Sequence, residues 1–146
     1  MKKECDRLNQ FFKSQGIKPK TIMDKIAALM LENAGVARTE TGLMNALSAI
    51  ESMKVNDLQI LKAPRGRRFN LGWIEAIQVP YMLDVAEMIV RAALLRTESR
   101  GTHFREDFTE TRSDWLKHTR ILKNGEAMDL GSVPVIITKL NPEVTK

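Results

Sequence analysis

Three segments of the chain carry apolar residues at intervals of three and four positions, the spacing that places side chains on one face of an α-helix. The first runs from Lys20 to Asn33, the second follows Thr39, and the third follows Asn70. Each helix must bury its apolar stripe, and three amphipathic helices joined by short loops cover one another's stripes only as a bundle. The sequence therefore predicts a mainly α domain built on a three-helix bundle over residues 19–101.

The ends of these helices are marked by residues with specific backbone or capping preferences. Pro19 fits the first helical turn, where its missing N–H costs nothing, and Gly35 is predicted to close that helix in a left-handed conformation. A hydroxyl of Thr39 or Thr41 can cap the second helix, and Asn70 can cap the third. These positions set the expected beginning of each helix.

The third helix is predicted to be the longest, with its apolar stripe running towards Gly101. Pro80 falls inside this helix, removes one backbone hydrogen bond, and is expected to kink or split it. The residues at the centres of the stripes are expected to be buried together in the core, namely Ile26, Leu47, Ile89 and Ala93.

Two flanking segments lie outside the predicted bundle. Residues 1–18 are interpreted as a short helix or a mobile leader, and both alternatives stay open. Residues 102–146 are interpreted as an extended tail, in which Asn124 and Gly125 form a two-residue hairpin turn because both tolerate positive φ. The β-branched run 133–138 is predicted to be a strand. Such a ribbon buries little alone, so we expect the tail to pack on the bundle or on a partner.

Composition limits the compartment and the class of partner. The single cysteine, Cys5, excludes an internal disulfide and a cysteine metal cage, which favours a reducing compartment. No stretch approaches the ~20 apolar residues of a membrane span, and residues 1–6 lack the apolar core of a secretory signal. We therefore expect a cytoplasmic protein.

The net charge of +5 raises the question of nucleic-acid binding, and the densest basic cluster lies at residues 65–68. Elsewhere, acidic residues are interleaved with the basic ones, and no row of aromatic side chains offers a surface for base stacking. We therefore predict no nucleic-acid partner.

Residues 96–108 concentrate charge where the third helix is expected to end, with three arginines, one histidine and three carboxylates around Gly101. His103, Asp107 and His118 are of residue types that bind zinc or iron, but their spacing does not fix them on one face, so we predict no metal site. The same residues could form an acid–base pair in a pocket. The main interpretation is a network in which arginines bind carboxylates bidentately and fix the path of the loop.

Two motifs carry a resemblance to a known family. One is the run ESRG at residues 98–101 with His103, Arg105 and Asp107 after it, and the other is the run WLKHT at residues 115–119. They resemble the C-terminal helical domain of fumarate reductase and succinate dehydrogenase flavoprotein subunits, a family that includes L-aspartate oxidase. The resemblance implies a helical bundle with a trailing extended tail, packed against a flavin-binding domain. In the family, the FAD, the dicarboxylate site and the catalytic residues lie upstream, and none of them maps onto this chain.

The resemblance extends over residues 23–140 and implies one part of an oxidoreductase, inactive by itself, either within a longer chain or as a separate subunit. The eight glycines never approach GxGxxG spacing, so the chain itself is expected to hold no FAD. The expected partners are the flavin-binding domain and an iron–sulfur subunit, which implies peripheral association with the membrane through a complex. The residues expected to organise domain docking are Arg100, His103, Arg105, Asp107, Trp115 and His118.

Two other functions stay open from the sequence. One is a stand-alone helical module for protein interaction that uses the same scaffold. The other is a basic helical domain that binds nucleic acid, although the charge pattern favours it least.

Overall fold

The fold is a bundle of three long helices, here described from a computed structural model that covers residues 2–12, 15–66, 68–125 and 127–139. The three helices are α2 (Pro19–Ala34), α3 (Glu40–Ser52) and α4 (Leu71–Leu95), and each packs against the other two. A shorter helix, α1 (Lys2–Asn9), precedes them. The predicted fold class, a mainly α three-helix bundle followed by a tail with a hairpin, is confirmed. Arg67 of the predicted basic cluster and residues 140–146 of the predicted tail lie outside the described residues.

The core lies where the three helices meet, and burying each aliphatic side chain there stabilises the fold by roughly 1.5–3 kcal/mol. Its largest fully buried aliphatic members are Ile22, Leu43, Ile50, Leu61, Val79, Leu83 and Val90.

Two of the four side chains that the stripes placed in this core are buried as predicted, Ile26 and Ala93. Leu47 is only half-buried, and the prediction for Ile89 is wrong because its side chain is 44% exposed. The helix that carries Ile89 is apolar on two faces, and only one of them meets α2 and α3.

The predicted starts of the three helices are confirmed. Pro19 is the first residue of α2, where no N–H is needed. The Thr39 hydroxyl accepts a hydrogen bond from the Gly42 N–H at 3.1 Å, and Asn70 Oδ1 accepts one from the Trp73 N–H at 3.0 Å. Each of these bonds satisfies one of the N–H groups that the first turn of a helix leaves unpaired.

The predicted left-handed cap at Gly35 is wrong, since its φ is −68°. Arg38 supplies the cap instead, because its Nε donates to the carbonyls of Ala34 at 3.2 Å and Gly35 at 2.9 Å. A side chain at position 35 would still be excluded, since its Cβ would lie 2.5 Å from the carbonyl oxygen of Leu31.

The longest helix, α4, ends at Leu95 and does not run to Gly101. Arg96 has extended backbone with ψ of 108°, and the carbonyl of Ala93 accepts a hydrogen bond from the Arg105 side chain at 2.8 Å. Gly101 has a positive φ, 59°, and occupies a tight turn beyond the helix. Pro80 lies inside α4, which is one continuous helix, so of the predicted kink or split the split does not occur.

The N-terminal segment lies against the beginning of α4. The Trp73 indole N–H donates to the carbonyl of Leu8 at 2.8 Å, and its ring stacks on Phe12 with centroids 5.5 Å apart. Residues 1–18, for which the sequence left a short helix or a leader open, therefore include α1 and contacts to the bundle.

The predicted hairpin is confirmed as β3 (Lys117–Asn124) and β4 (Ala127–Pro134), which pair antiparallel and both contact α4. Gly125 in the turn has φ of 62°, but Asn124 is the last residue of β3 and pairs with Ala127, so its predicted place in the turn is wrong. The strand predicted for residues 133–138 includes only its first two residues, because Pro134 pairs with Lys117, where β3 begins. Nothing pairs with the described residues after Pro134, since β3 offers no further partner.

A second pairing was missed from the sequence. The two-residue strands β1 (Ala37–Arg38) and β2 (Phe104–Arg105) pair in parallel and bring the charged segment beyond α4 against the connection between α2 and α3. Among the described residues, no helix combines the length and the apolarity needed to cross a bilayer.

Candidate functional site

The chain that follows α4 folds around Glu98, whose side chain is fully buried. Arg100 donates to its carboxylate from Nε to Oε1 at 2.9 Å and from Nη2 to Oε2 at 3.1 Å, and Arg96 also donates to Oε1. The backbone N–H of Arg112 adds a bond at 2.9 Å. The hydrogen bonds from Arg100 are the main reason that the pKa of Glu98 falls to about 2, although burial acts in the opposite direction.

Arg105 is the most buried charged side chain of this region after Glu98, with 1% of its surface exposed. It binds Asp107 in two places, Nε to Oδ1 at 2.7 Å and Nη2 to Oδ2 at 2.6 Å, while its Nη1 caps α4 through the Ala93 carbonyl. This bidentate pair lowers the pKa of Asp107 to about 2. Asp107 also accepts the backbone N–H of Glu40 at 2.8 Å, which satisfies the first turn of α3.

Arg38 and His103 form the third part of the arrangement, with Arg38 Nη1 lying 2.8 Å from His103 Nδ1. A guanidinium only donates, so Nδ1 must accept and His103 must be the neutral tautomer with its proton on Nε2. Burial, and then the charge of Arg38, lower the pKa of His103, while the carbonyl of Arg96 opposes them. His103 Nε2 is buried and makes no hydrogen bond within the described part of the chain.

Backbone and hydroxyl contacts close the loop between these charges. The Ser99 hydroxyl accepts the N–H of Arg105 at 2.8 Å and donates to the carbonyl of Phe108 at 2.8 Å. Arg100 and His103 exchange backbone hydrogen bonds at 2.9 and 3.0 Å across the turn that contains Gly101. The loop path is therefore fixed at both ends, as the arginine–carboxylate interpretation predicted.

These residues form one unit, which we call the charged cluster: Arg38, Glu98, Arg100, His103, Arg105 and Asp107. It binds the carboxyl-terminal end of α2 through Arg38, the amino-terminal end of α3 through Asp107, and the carboxyl-terminal end of α4 through Arg105. The cluster can hold three helix ends in one relative position and present a rigid loop at the surface.

Of the six residues singled out from the sequence, four lie in the charged cluster: Arg100, His103, Arg105 and Asp107. Trp115 lies beside it, with its indole N–H donating to the Thr97 hydroxyl at 3.0 Å and its ring 5.1 Å from the Arg96 guanidinium carbon. His118 lies apart in β3 opposite Val133, with its side chain exposed.

The metal-ligating combination considered from the sequence can be compared with the structure. In the described ranges, no group of three histidine, cysteine, aspartate or glutamate side chains is placed to hold a metal ion. Both oxygens of Asp107 are bound to Arg105, so the combination with His103 and His118 considered from the sequence does not form.

Two important residues, Arg38 and Glu98, were not among those singled out. Glu98 was visible as the first residue of the ESRG run, flanked by Arg96 and Arg100. Arg38 follows the end of α2, a place where a cation is favoured because the last carbonyls of a helix are unpaired. Its contact with His103, 65 positions later, carried no signal in the sequence.

Comparison with known proteins gives a consistent result. A family model described as "Fumarate reductase flavoprotein C-term" matches residues 23–146. The chain is 32% identical over 133 residues to one subunit of the fumarate reductase (CoM/CoB) of Methanothermobacter marburgensis, covering 90% of this chain and 24% of that protein. It is 34% identical over 140 residues to the fumarate reductase flavoprotein subunit of Haemophilus influenzae, covering 93% and 23%. The chain thus spans about a quarter of the length of these relatives.

Solved structures agree with the sequence matches. A chain of quinol fumarate reductase from E. coli superposes with a TM-score of 0.82 at 26% identity, over 94% of this chain and 24% of the other. Mycobacterium smegmatis Sdh1 in complex with UQ1 gives a TM-score of 0.81 at 27% identity, over 97% and 24%. The adenylylsulfate reductase of Archaeoglobus fulgidus, at 22% identity and a TM-score of 0.71, shares the fold.

Proposed function

Because the chain belongs to the fumarate reductase and succinate dehydrogenase flavoprotein family, as its C-terminal domain, we propose that it buttresses the flavin-binding domain of an oxidoreductase. FAD is bound in that larger part, which lies in the same polypeptide or in a separate subunit. One observation carries the proposal. The match covers nearly all of this chain but only about a quarter of relatives named as flavoprotein subunits.

The charged cluster supports a docking role in two ways. Its buried members, Glu98 and Arg105, the latter bound to Asp107, hold the loop in one conformation, so that little conformational entropy is lost on binding. Its more exposed members reach the surface, and we assign the direct contact to Arg100 together with His118 on the hairpin. The other proposed docking residues, His103 and Trp115, act by positioning the loop.

We also propose contacts beyond the flavin-binding domain. The relatives include succinate dehydrogenase and quinol fumarate reductase complexes, so an iron–sulfur subunit is the second expected partner. Through such a complex the cytoplasmic domain would lie at the periphery of a membrane. Binding to an iron–sulfur subunit is tested by adding that subunit to the preassembled flavoprotein and measuring its retention with and without this chain.

The docking proposal is tested with the flavin-binding portion encoded in the same genome, produced as a separate polypeptide. Its flavin fluorescence is followed during heating, alone and with an excess of this chain. If this chain binds the folded flavin-binding portion and not its unfolded form, it must raise the temperature at which that portion unfolds. We expect a higher midpoint of flavin release when the chain is present, and an unchanged midpoint at saturating concentration would contradict the proposal.

A further inference from the structure

The longest helix carries two apolar faces, and only one of them is used within the bundle. The inner face is buried against α2 and α3 and contains Ala76, Val79, Leu83, Ala86, Val90 and Ala93. The outer face contains Ile74, Tyr81, Val85 and Ile89, each about half exposed. These four residues recur at intervals of seven and four, so they form one stripe about 22 Å long at 1.5 Å per residue. A helix that is apolar on both faces is typical of one buried on both faces.

The outer stripe borders a shallow groove of about 470 Å³ between α2 and α4. Its apolar walls are formed by Ile26 and Met30 from α2 and by Met82, Val85 and Ile89 from α4. Among the described residues, no charged side chain lines the groove, and the polar ones that do are Gln78 and Tyr81. Aromatic and methionine side chains without charge are characteristic of the buried centre of a protein interface.

The amino-terminal end of this face is basic and strongly exposed. Arg65 and Arg68 precede α4, and neither forms an ion pair with another residue in the part of the chain that the structure describes. Phe69 follows with a fully exposed ring and a φ of 50°, a conformation that costs free energy for a residue with a side chain. Leu71, the first residue of α4, is also exposed. An acidic partner segment would complement this end, where the helix terminus adds partial positive charge.

We propose that the outer face of α4, from Ile74 to Ile89, together with Arg65, Arg68 and Phe69 before it, is the apolar half of the docking surface for the flavin-binding domain. The partner segment is an apolar helix or strand that carries carboxylates at the end facing Arg65 and Arg68. This inference rests on the proposed function and gives it a second surface, separate in sequence from the charged cluster. About three quarters of each relative's length lies outside the part matched here, which is enough chain to cover the groove.

The test uses matched pairs of variants and measures the dissociation constant for the flavin-binding portion by calorimetry. Val85→Lys places a charge in the groove, and Val55→Lys makes the same change at a valine that is 68% exposed outside it. Arg68→Glu reverses the charge at the basic end, and Lys139→Glu does so at an exposed lysine on the tail. We expect Val85→Lys and Arg68→Glu each to weaken binding by at least about tenfold. The first variant places a charge in the buried part of the interface, and the second removes the charge complementarity at its basic end.

The two controls should bind within about twofold of the wild type, as is usual for changes outside the centre of an interface. A labelling experiment adds a readout of position. Ile89→Cys and Val55→Cys are made separately in a Cys5→Ser background, and the maleimide reaction rate is measured with and without the partner. Protection at position 89 and none at position 55 is the expected result.

The outcomes separate this inference from the proposed function. Wild-type binding that Val85→Lys leaves unchanged would overturn the inference while the docking proposal stands. Equal weakening of partner binding by Val55→Lys would also overturn the inference. So would a dimer of the wild-type chain, seen by sedimentation and abolished by Val85→Lys, because it would assign the face to a second copy of this chain. Absence of any binding by the folded wild-type chain would remove the proposed function and this inference together.

Discussion

Removing the Arg105 side chain tests whether the charged cluster holds the helical domain together. In Arg105→Ala, the carbonyl of Ala93 at the end of α4 loses its donor, and Asp107 loses both bonds of a bidentate pair. Asp107 keeps its contact to the first turn of α3, through the N–H of Glu40. The variant therefore loosens two helix ends at once and leaves a cavity where a side chain 1% exposed had been.

The expected cost follows from these contacts. A single hydrogen bond to a charged group contributes roughly 1.5–3 kcal/mol, whereas breaking a fully buried ion pair costs roughly 3–5 kcal/mol. The side chain of Asp107 is partly accessible to water, which solvates it after the loss of Arg105, so the lower part of that range applies. We expect a loss of about 3 kcal/mol from a total of about 5–15 kcal/mol, or roughly 10 °C in the unfolding midpoint.

The chain contains a matched control, because Arg112 binds Asp114 with the same bidentate geometry at 3.0 and 2.8 Å but at the surface. Arg112→Ala should leave the midpoint nearly unchanged, since an exposed pair contributes little. The free energy of unfolding of both variants is measured by urea unfolding followed by circular dichroism. Arg105→Lys is measured as a third variant, which keeps the positive charge but lacks the forked guanidinium group. Equal stability of Arg105→Ala and Arg112→Ala would refute the reasoning that burial makes this pair structural.

Three further predictions concern acid stability and the cofactor. The pKa of Glu98 is about 2 in the folded chain against an ordinary 4.5. The ionised carboxylate therefore contributes fully to the free energy of unfolding above pH 4.5, and this contribution is lost as the pH falls towards 2. Glu98→Gln should flatten the dependence of stability on pH in that range. The pKa of His103 is lowered from 6.5 in the folded chain, so the unfolded chain binds the proton more readily and stability should fall below pH 6.5. If a His103→Gln variant loses stability with the same slope below pH 6.5, this would argue against the contact between His103 and Arg38. The isolated chain should be colourless and inactive with reduced dyes and fumarate, and stoichiometric flavin absorbance after gel filtration would disprove this.

The bundle was predictable because its signals are local. The caps at Thr39 and Asn70 and the proline that begins α2 depend on neighbours within one turn, and apolar spacing alone identified the three helices. The hairpin was likewise predicted from the adjacent residues Asn124 and Gly125, although Asn124 itself lies in β3.

Most of the errors depend on side-chain contacts that the spacing of apolar residues does not reveal. Gly35 needs no left-handed cap because Arg38 binds the terminal carbonyls, and α4 stops at Leu95 because Arg105 binds the carbonyl of Ala93. Ile89 fits a helical stripe as well as Val90 does, and periodicity cannot tell which of two apolar faces meets the neighbouring helices.

The charged cluster shows the same division. Its location was apparent from the density of charge after the third helix, and the bidentate pairing of arginine with carboxylate was the main interpretation. Which carboxylate each arginine binds was not predictable, because Arg96 and Arg100 converge on Glu98 while Arg105 selects Asp107. These choices depend on the β1–β2 pairing, and strands of two residues leave no recognisable pattern in a sequence.

The central claim is that this chain docks on the flavin-binding part of a flavoprotein of its family. Sedimentation velocity tests it most directly, with absorbance recorded at the protein and flavin wavelengths while the chain is titrated into the flavin-binding portion. We expect one faster boundary that carries both absorbances and saturates at one chain per flavin. Two boundaries that remain separate at every concentration, with no flavin-associated mass gained, would contradict the claim.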